Sequence, residues 1–350
     1  MNNEWKEFLL NRNALIENGI VKNFGLSIDE EQTAYSNLII ADLSHYTLIE
    51  ASGDDVETFL QGQLTNDIKL VTDINSQLSA YCNPKGRILA NFRIFKRHDH
   101  YFLSLRSEIS EVTLKRLRMF IMRSKVELKD ESDRFIHIGV AGTHSTKVLT
   151  TIFHNLPETT DSVCINDDIS VIKLAGEIPR YEVFGPMDKI KPLWEKLEPA
   201  AVAVGENSWN LLTIRAGLPE IVSETIEAFV PQMVNLQAIN SLSFTKGCYP
   251  GQEVVARMHY LGKLKRRLYI GSLKSDKLPK AGQAIFAKGE NEQKSGQIVT
   301  ASWSKDKTIE LLAVLQIEKA DKGGLHLDTP SEETIQLVDL PYSIEKEEKN

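Results

Sequence analysis

The sequence predicts an α+β fold, and three stretches predict it. Leu78–Cys82 and Arg87–Lys96 read as strands joined by Asn83-Pro84-Lys85-Gly86, a strong turn signal, and so form a hairpin. Residues 135–204 read as strand, turn, helix, two strands and a helix, the size of a split βαβ unit with an antiparallel sheet. From Arg267 onward the pattern changes to short alternating segments separated by Gly, Pro and Lys turns, which reads as a small β-barrel or sandwich.

The elements follow in order. Residues 1–35 form an amphipathic N-terminal extension, in which Trp5, Phe8, Leu9, Leu15, Ile16 and Ile20 suggest a helix and a turn. Asn37–Ala51, rich in Leu, Ile and Thr, supplies one or two strands. Asp54 or Asp55 is placed to cap a helix over Val56–Leu64. Tyr101–Arg106 precedes a helix over Ile109–Met122, whose far end carries Lys115, Arg116, Arg118 and Arg123, as suits a helix dipole. The 135–204 block comprises a strand at Phe135–Gly142, a helix at Ser145–Leu156, strands at Ile169–Leu174 and Arg180–Phe184, and a helix at Met187–Leu197. Ile190, Leu193, Trp194 and Leu197 share one face of that last helix, and Pro192 marks its first turn. Glu206–Ala216 is a helix stopped by Gly217 and Pro219. Residues 228–245 are mostly loop, and Gln252–Leu261 is a helix ended by Gly262. The final strands are Leu268–Leu273, Ala284–Ala287, Ser295–Ala301, Thr308–Gln316 and Ile335–Val338, followed by a charged tail, Glu345–Asn350.

Composition narrows the function. Hydrophobic residues make up 42% and charged residues 25% of 350, ordinary values for packed globular domains. A net charge of −7 excludes a general polyanion binder and leaves only a local basic patch for that role. No stretch approaches the roughly 18 apolar residues of a membrane helix. The N-terminus lacks the basic and apolar regions of a signal peptide, so a cytoplasmic protein with no membrane partner is expected. Three widely spaced cysteines, Cys82, Cys164 and Cys248, argue against a disulfide framework and a resident iron–sulfur cluster. No CxxC is present, and His98-Asp99-His100 reads as a polar turn, so no metal site is expected.

The chemistry-bearing stretch is Lys246-Gly247-Cys248-Tyr249-Pro250-Gly251-Gln252-Glu253. Gly247 and Gly251 permit positive φ, and Pro250 presets a turn. The loop runs into a helix N-terminus, and Lys246 adds positive charge two residues from Cys248; both favour a thiolate. From Lys246 to Arg267 there are six basic residues and one acidic residue, which suits a phosphate, a polyglutamate tail or RNA. A lone cysteine also serves as a small buried hydrophobe, and His259 reads as a base or as a surface residue; the residues alone leave both open.

The eight-residue motif, followed by Val254-Val255-Ala256-Arg257, resembles the signature of the YgfZ proteins, folate-binding relatives of the T protein (aminomethyltransferase) of the glycine cleavage system. The resemblance extends over Phe59-Leu60-Gln61-Gly62-Gln63-Leu64-Thr65-Asn66-Asp67, Asn83-Pro84-Lys85-Gly86-Arg87, Arg215-Ala216-Gly217-Leu218-Pro219, Phe229-Val230-Pro231-Gln232 with Asn235-Leu236, and Leu340-Pro341-Tyr342-Ser343. It implies an α+β, three-domain T-protein-like fold with a C-terminal small β-barrel. The implied segments are the 1–35 extension, a folate-binding domain at 36–134 plus 205–262 that carries the motif, a ferredoxin-like domain at 135–204, and a barrel at 263–344.

The resemblance further implies tetrahydrofolate, or a derivative, as cofactor in a central cavity, with Cys248 and Lys246 as the catalytic pair. By spacing to Gly53 and Gly217, the folate contacts fall on Tyr46 and Trp209, and Arg215 stands where relatives often carry a Glu that meets the pterin. The implied role is a tetrahydrofolate-binding accessory factor for synthesis, repair or protection of iron–sulfur enzymes, indirectly supporting tRNA methylthiolation. Its implied partners are folate, iron–sulfur enzymes or cluster-assembly factors and, indirectly, tRNA. Alternatives are a folate-dependent aminomethyl transferase and a non-catalytic folate-binding scaffold. Where T proteins carry acidic residues, a catalytic Asp among them, this chain has Ala90-Asn91, which argues against aminomethyl transfer.

Overall fold

In the computed structural model, which describes residues 1–25, 35, 37–288, 294–327 and 334–344, Asn2 caps the first helix, Asn3–Leu10. The Asn2 side-chain oxygen accepts from the backbone N–H of Glu4 and Trp5, satisfying donors that a helix start leaves open. The helix buries Trp5, Phe8 and Leu9. Helix does not extend to Leu15, Ile16 and Ile20. These form a hairpin, Leu15–Glu17 with Ile20–Asn23, because Asn18 (φ 51°) and Gly19 (φ 77°) adopt the left-handed pair that a tight two-residue turn needs. The rest of the expected extension, 26–34, and the tail Glu345–Asn350 lie outside the described residues.

Two units divide the chain. The first comprises Met1–Leu60, Ile68–Gln77 and Phe92–Asn210, and the second Gln61–Asp67, Leu78–Asn91 and Leu211–Asn350. Among the described residues, the first unit contains a six-stranded sheet in the order Val163–Asn166, Ile169–Leu174, Arg180–Pro186, Phe135–Ala141, Ile39–Asp42, Val202–Val204. Its pairs are antiparallel except the last, which is parallel. One face packs on Trp5, Phe8, Leu9 and the helix Met187–Leu197, which buries Ile190, Leu193, Trp194 and Leu197 as its spacing predicts. Each such side chain contributes about 1.5–3 kcal/mol on burial. Pro192 lies inside this helix rather than in its first turn, so the carbonyl of exposed Asp188 forgoes its usual donor. The helix after Phe135–Ala141 is shorter than expected, Ser145–Thr150, and the strand Val163–Asn166 is an addition.

His100–Arg106, Tyr46–Ser52 and Glu127–Asp130 lie side by side, with His100–Arg106 paired on its other edge to Arg93–Arg97. The helix Val56–Gln63 forms as predicted, but Asp55 does not cap it: its carboxylate accepts from Lys125 N (2.7 Å). The helix Ser110–Met119 is shorter than its predicted span.

In the second unit, residues 78–91 form the expected hairpin across the Asn83–Gly86 turn. A six-stranded antiparallel sheet of described residues runs Leu325–Leu327, Ala284–Ala287, Lys294–Trp303, Thr308–Gln316, Arg266–Lys274, Gln336–Val338. This is the predicted C-terminal β element, curled over a core of Leu273, Ile285, Ile298, Leu311, Leu315 and Leu325. The helix Ile317–Lys322 and the strand Leu325–Leu327 were not foreseen.

Candidate functional site: the cysteine loop

The loop at 246–253 is built on two glycines placed back to back. Gly251 (φ 84°) and Gly86 (φ 70°) both adopt left-handed backbone. A Cβ on Gly251 would lie 2.5 Å from Asn83 O and 2.6 Å from Gly86 N, closer than any side chain allows. The Asn83–Gly86 turn is itself fixed by the Asn83 side chain, whose oxygen accepts from Lys85 N and Arg87 N while its nitrogen donates to Glu227 (3.0 Å). Gly247 is different. Its φ is not in the positive range, and nothing lies within 4 Å of where its Cβ would be. The expectation that Gly247 uses a positive φ is therefore corrected: that position is exposed and sterically open.

Lys246 is buried. Its ammonium donates to three backbone carbonyls, Gln61 O (2.7 Å), Leu64 O and Asn66 O (3.0 Å). Those are all the protons an ammonium has. Burial draws its pKa down to about 8, with Asp67 opposing. A neutral amine would serve only two of the three carbonyls. Tyr249 is buried beneath, with the Lys246 ammonium 5.3 Å from its ring centre, and burial pushes its phenol up. Gln252 Nε2 reaches back to Lys246 O (3.4 Å), and the helix Gln252–Tyr260 starts there. Glu253 is exposed.

Cys248 is exposed, whereas Cys82 is buried with its thiol pushed up to about 12 by burial, and Cys164 is half-buried. The arrangement therefore presents one accessible sulfur on a loop pinned at Lys246 and Gly251. His259, considered as a base, stacks on Phe244 instead (3.8 Å between ring centres, 12° between planes).

The expected folate contacts behave differently from one another. Tyr46, in the first unit, borders a polar pocket of about 420 Å³ with Ser44, Ser107, Asp130, Ser132 and Asp133. Arg106 lies over its ring (5.4 Å) and pairs with Glu206 (2.8 Å). Beside Tyr46, burial and Arg106 drive His45 down to about 3, so that imidazole is neutral. Trp209 is only 1% exposed; Gly139 lies against its ring so closely that a Cβ there would come within 2.4 Å, and Arg180 stands 5.7 Å above it. In the second unit, Arg215 holds Glu310 through two nitrogens, its Nε donating at 2.7 Å. As they stand, Trp209 and Arg215 do not offer a pterin a free face or a free fork. Tyr46 has open space beside it.

Ala90 is fully buried, and Asn91 bridges two backbone groups. Its amide nitrogen donates to Pro219 O (2.8 Å), and its oxygen accepts from Ile221 N (2.8 Å). Sequence reasoning missed several such locks. Asn235 (φ 58°) exchanges bonds with the backbone of Leu268, Gln232 Nε2 donates to Val255 O (2.6 Å), and Tyr342 donates to Gly217 O (2.9 Å). The available signal was buried-type polar residues set among Pro, Gly and aromatic positions. Among the described residues, no group of three His, Cys, Asp or Glu side chains is placed to hold a metal, and no helix is long and apolar enough to cross a membrane.

The model of the GCVT N-terminal domain matches residues 21–243. The tRNA-modifying protein YgfZ of Colwellia psychrerythraea is 33% identical over 306 residues, 87% of this chain and 93% of the relative. The protein of that name from Yersinia enterocolitica is 32% identical over 308 residues, 88% and 93% of the two chains. Among solved structures, the glycine cleavage system aminomethyltransferase T from Bartonella henselae matches with a TM-score of 0.73 over 97% of this chain and 96% of that one, at 15% identity, so the likeness is one of fold.

Proposed function

This chain belongs to the GCVT family and within it to the YgfZ proteins, and from that premise we propose that it is a tetrahydrofolate-binding accessory factor. It serves the synthesis, repair or protection of iron–sulfur enzymes and through them supports tRNA methylthiolation. Its setting is the cytoplasm, and its partners are folate and iron–sulfur enzymes or their cluster-assembly factors. The observation that carries the reading is the exposed Cys248 on a loop held by Lys246 and the Gly86–Gly251 pair. A loop built only to dock a partner requires no thiol, and a structural cysteine would be buried as Cys82 is. In this reading Cys248 is the reacting group and Lys246 the residue that positions it. Tyr46 is the folate contact with room for a ligand; Trp209 meets folate only after Gly139 and Arg180 give way.

The transferase alternative gains no support from Ala90 and Asn91, which place no carboxylate there. The test is complementation. Cells lacking the protein receive the parent or Cys248→Ser, and iron–sulfur enzyme activity and tRNA methylthiolation are measured. Full rescue by Cys248→Ser would end the chemical reading of the loop. Tetrahydrofolate binding by the purified parent protein, followed by calorimetry, tests the cofactor separately.

A further inference from the structure

We propose that the exposed strip formed by Phe244, the end of the helix Gln252–Tyr260 and the segment up to Arg266 docks single-stranded RNA. The inference goes beyond the function proposed above, which requires no direct RNA contact.

Three observations converge on this strip. The first is charge. Arg257, Lys263, Lys265 and Arg266 are exposed, and among the described residues none of them forms an ion pair. Arg267, by contrast, is half-buried and donates to Tyr269 Oη (2.9 Å). The helix dipole accounts for Arg257 in the last turn, but its effect has fallen away by Lys263, Lys265 and Arg266. A merely solvated face would interleave acids, yet Glu253 is the one acid between Lys246 and Arg267.

The second observation is a run of rings at the surface. His259 stacks on Phe244, and Tyr260 follows 4.7 Å from His259. Tyr260 is 64% exposed and Leu261 84%, so the run ends on an open ring. The third is the contrast with the whole chain. The protein carries −7 overall, so a polyanion gains nothing from its long-range field. At physiological salt charges beyond about 8 Å are largely screened, and only a local cluster of this kind can hold phosphates.

Cations that follow a backbone, beside a ring on which a base can stack, are what single-stranded nucleic acid needs. An acidic peptide would use the cations but leave the rings without a partner.

The experiment uses the full chain and fluorescence anisotropy with a labelled uridine-rich oligoribonucleotide and an unmodified tRNA transcript, across a salt series. Parallel melting curves show that the variants remain folded. In Lys263→Ala/Lys265→Ala/Arg266→Ala, the slope of log affinity against log salt becomes shallower by roughly 2, because three phosphate contacts are lost. In Tyr260→Ala, affinity falls roughly tenfold while the salt slope stays the same. Three results overturn the proposal: no RNA binding by the parent protein, unchanged binding in both variants, or capture of a polyglutamate peptide in preference to RNA, which would make the strip a protein-docking site. None of these bears on the rescue of iron–sulfur enzymes by Cys248, so the two readings fail separately.

Discussion

Replacing Lys246 by Met tests what this lysine does for the fold. The ammonium satisfies the carbonyls of Gln61, Leu64 and Asn66, which lie about 180 residues earlier in the chain. Met fills a similar volume but donates nothing, so three acceptors lose their partner. An acceptor left unsatisfied in a buried place costs on the order of 1 kcal/mol or more, giving about 3 kcal/mol for the three. For a unit of this size that is a drop of roughly 6–12 °C in its melting temperature.

The pH dependence supplies an independent check. The folded pKa of Lys246, about 8, lies below its ordinary 10.5. Between those values the unfolded chain holds more protons, so this group's contribution to stability grows as pH rises and is lost as pH falls through 8. The gap between the parent protein and Lys246→Met should therefore widen from pH 8 to pH 10. Urea unfolding at several pH values measures it, with Cys248→Ser as a control that leaves stability unchanged. A Lys246→Met variant within about 0.5 kcal/mol of the parent, with a gap flat in pH, would refute the role argued from the three carbonyls.

Three further outcomes follow from the same geometry. Asp42 accepts from Trp5 Nε1 (2.7 Å) and from Ser44; burial raises its pKa to about 6 against these bonds. Between 3.8 and 6 the folded state holds the extra proton, so stability falls as pH rises through that window, by about 3 kcal/mol in all. Asp42→Asn loses the bond from Ser44 N, worth about 1 kcal/mol, and should be about 2 kcal/mol more stable than the parent at pH 8 in urea titrations; equal stability at pH 8 would contradict the burial argument. Gly251→Ala should destabilise the second unit by several kcal/mol on the order of a core defect, while Gly247→Ala should melt with the parent protein, since only the first collides with Asn83 and Gly86. Asn91→Asp should cost about 1–3 kcal/mol, because a carboxylate cannot donate to Pro219 O, and should gain no aminomethyl transfer to tetrahydrofolate in a direct assay.

Local order was legible where period and turn chemistry agree. The helix Met187–Leu197 appears at its predicted limits because Ile190, Leu193, Trp194 and Leu197 recur at helical spacing, and the hairpin at 77–97 appears because Asn83–Gly86 is a strong turn. Asn18-Gly19 carried an equally plain hairpin signal that the helical spacing of Trp5 to Ile20 obscured. What could not be read is pairing at a distance. Nothing local tells Ile39–Asp42 to lie beside both Phe135–Ala141 and Val202–Val204. The cysteine loop stood out by its residue types, but the exposure of Cys248 and the open space at Gly247 depend on what packs around them. Lys246 read as a nearby charge for the thiol; that its three protons are spent on backbone carbonyls is a tertiary fact.

The same distinction bears on how this scaffold stands to the aminomethyltransferase fold it shares. The place where the resemblance expects a transferase carboxylate could be an empty one that a single substitution would fill. Here the place is occupied by structure. Ala90 has no exposed surface, and Asn91 uses its donor on Pro219 and its acceptor on Ile221. Those partners belong to the segment just after Arg215, whose fork is committed to Glu310. A carboxylate at 91 would keep the acceptor and turn a favourable N–H···O contact into repulsion between two oxygens. The amide is thus an integrated part of how residues 219–221 are held. On this geometry Cys248 is the exposed thiol of the chain, on a loop whose Lys246 and Gln252 side chains are already paired.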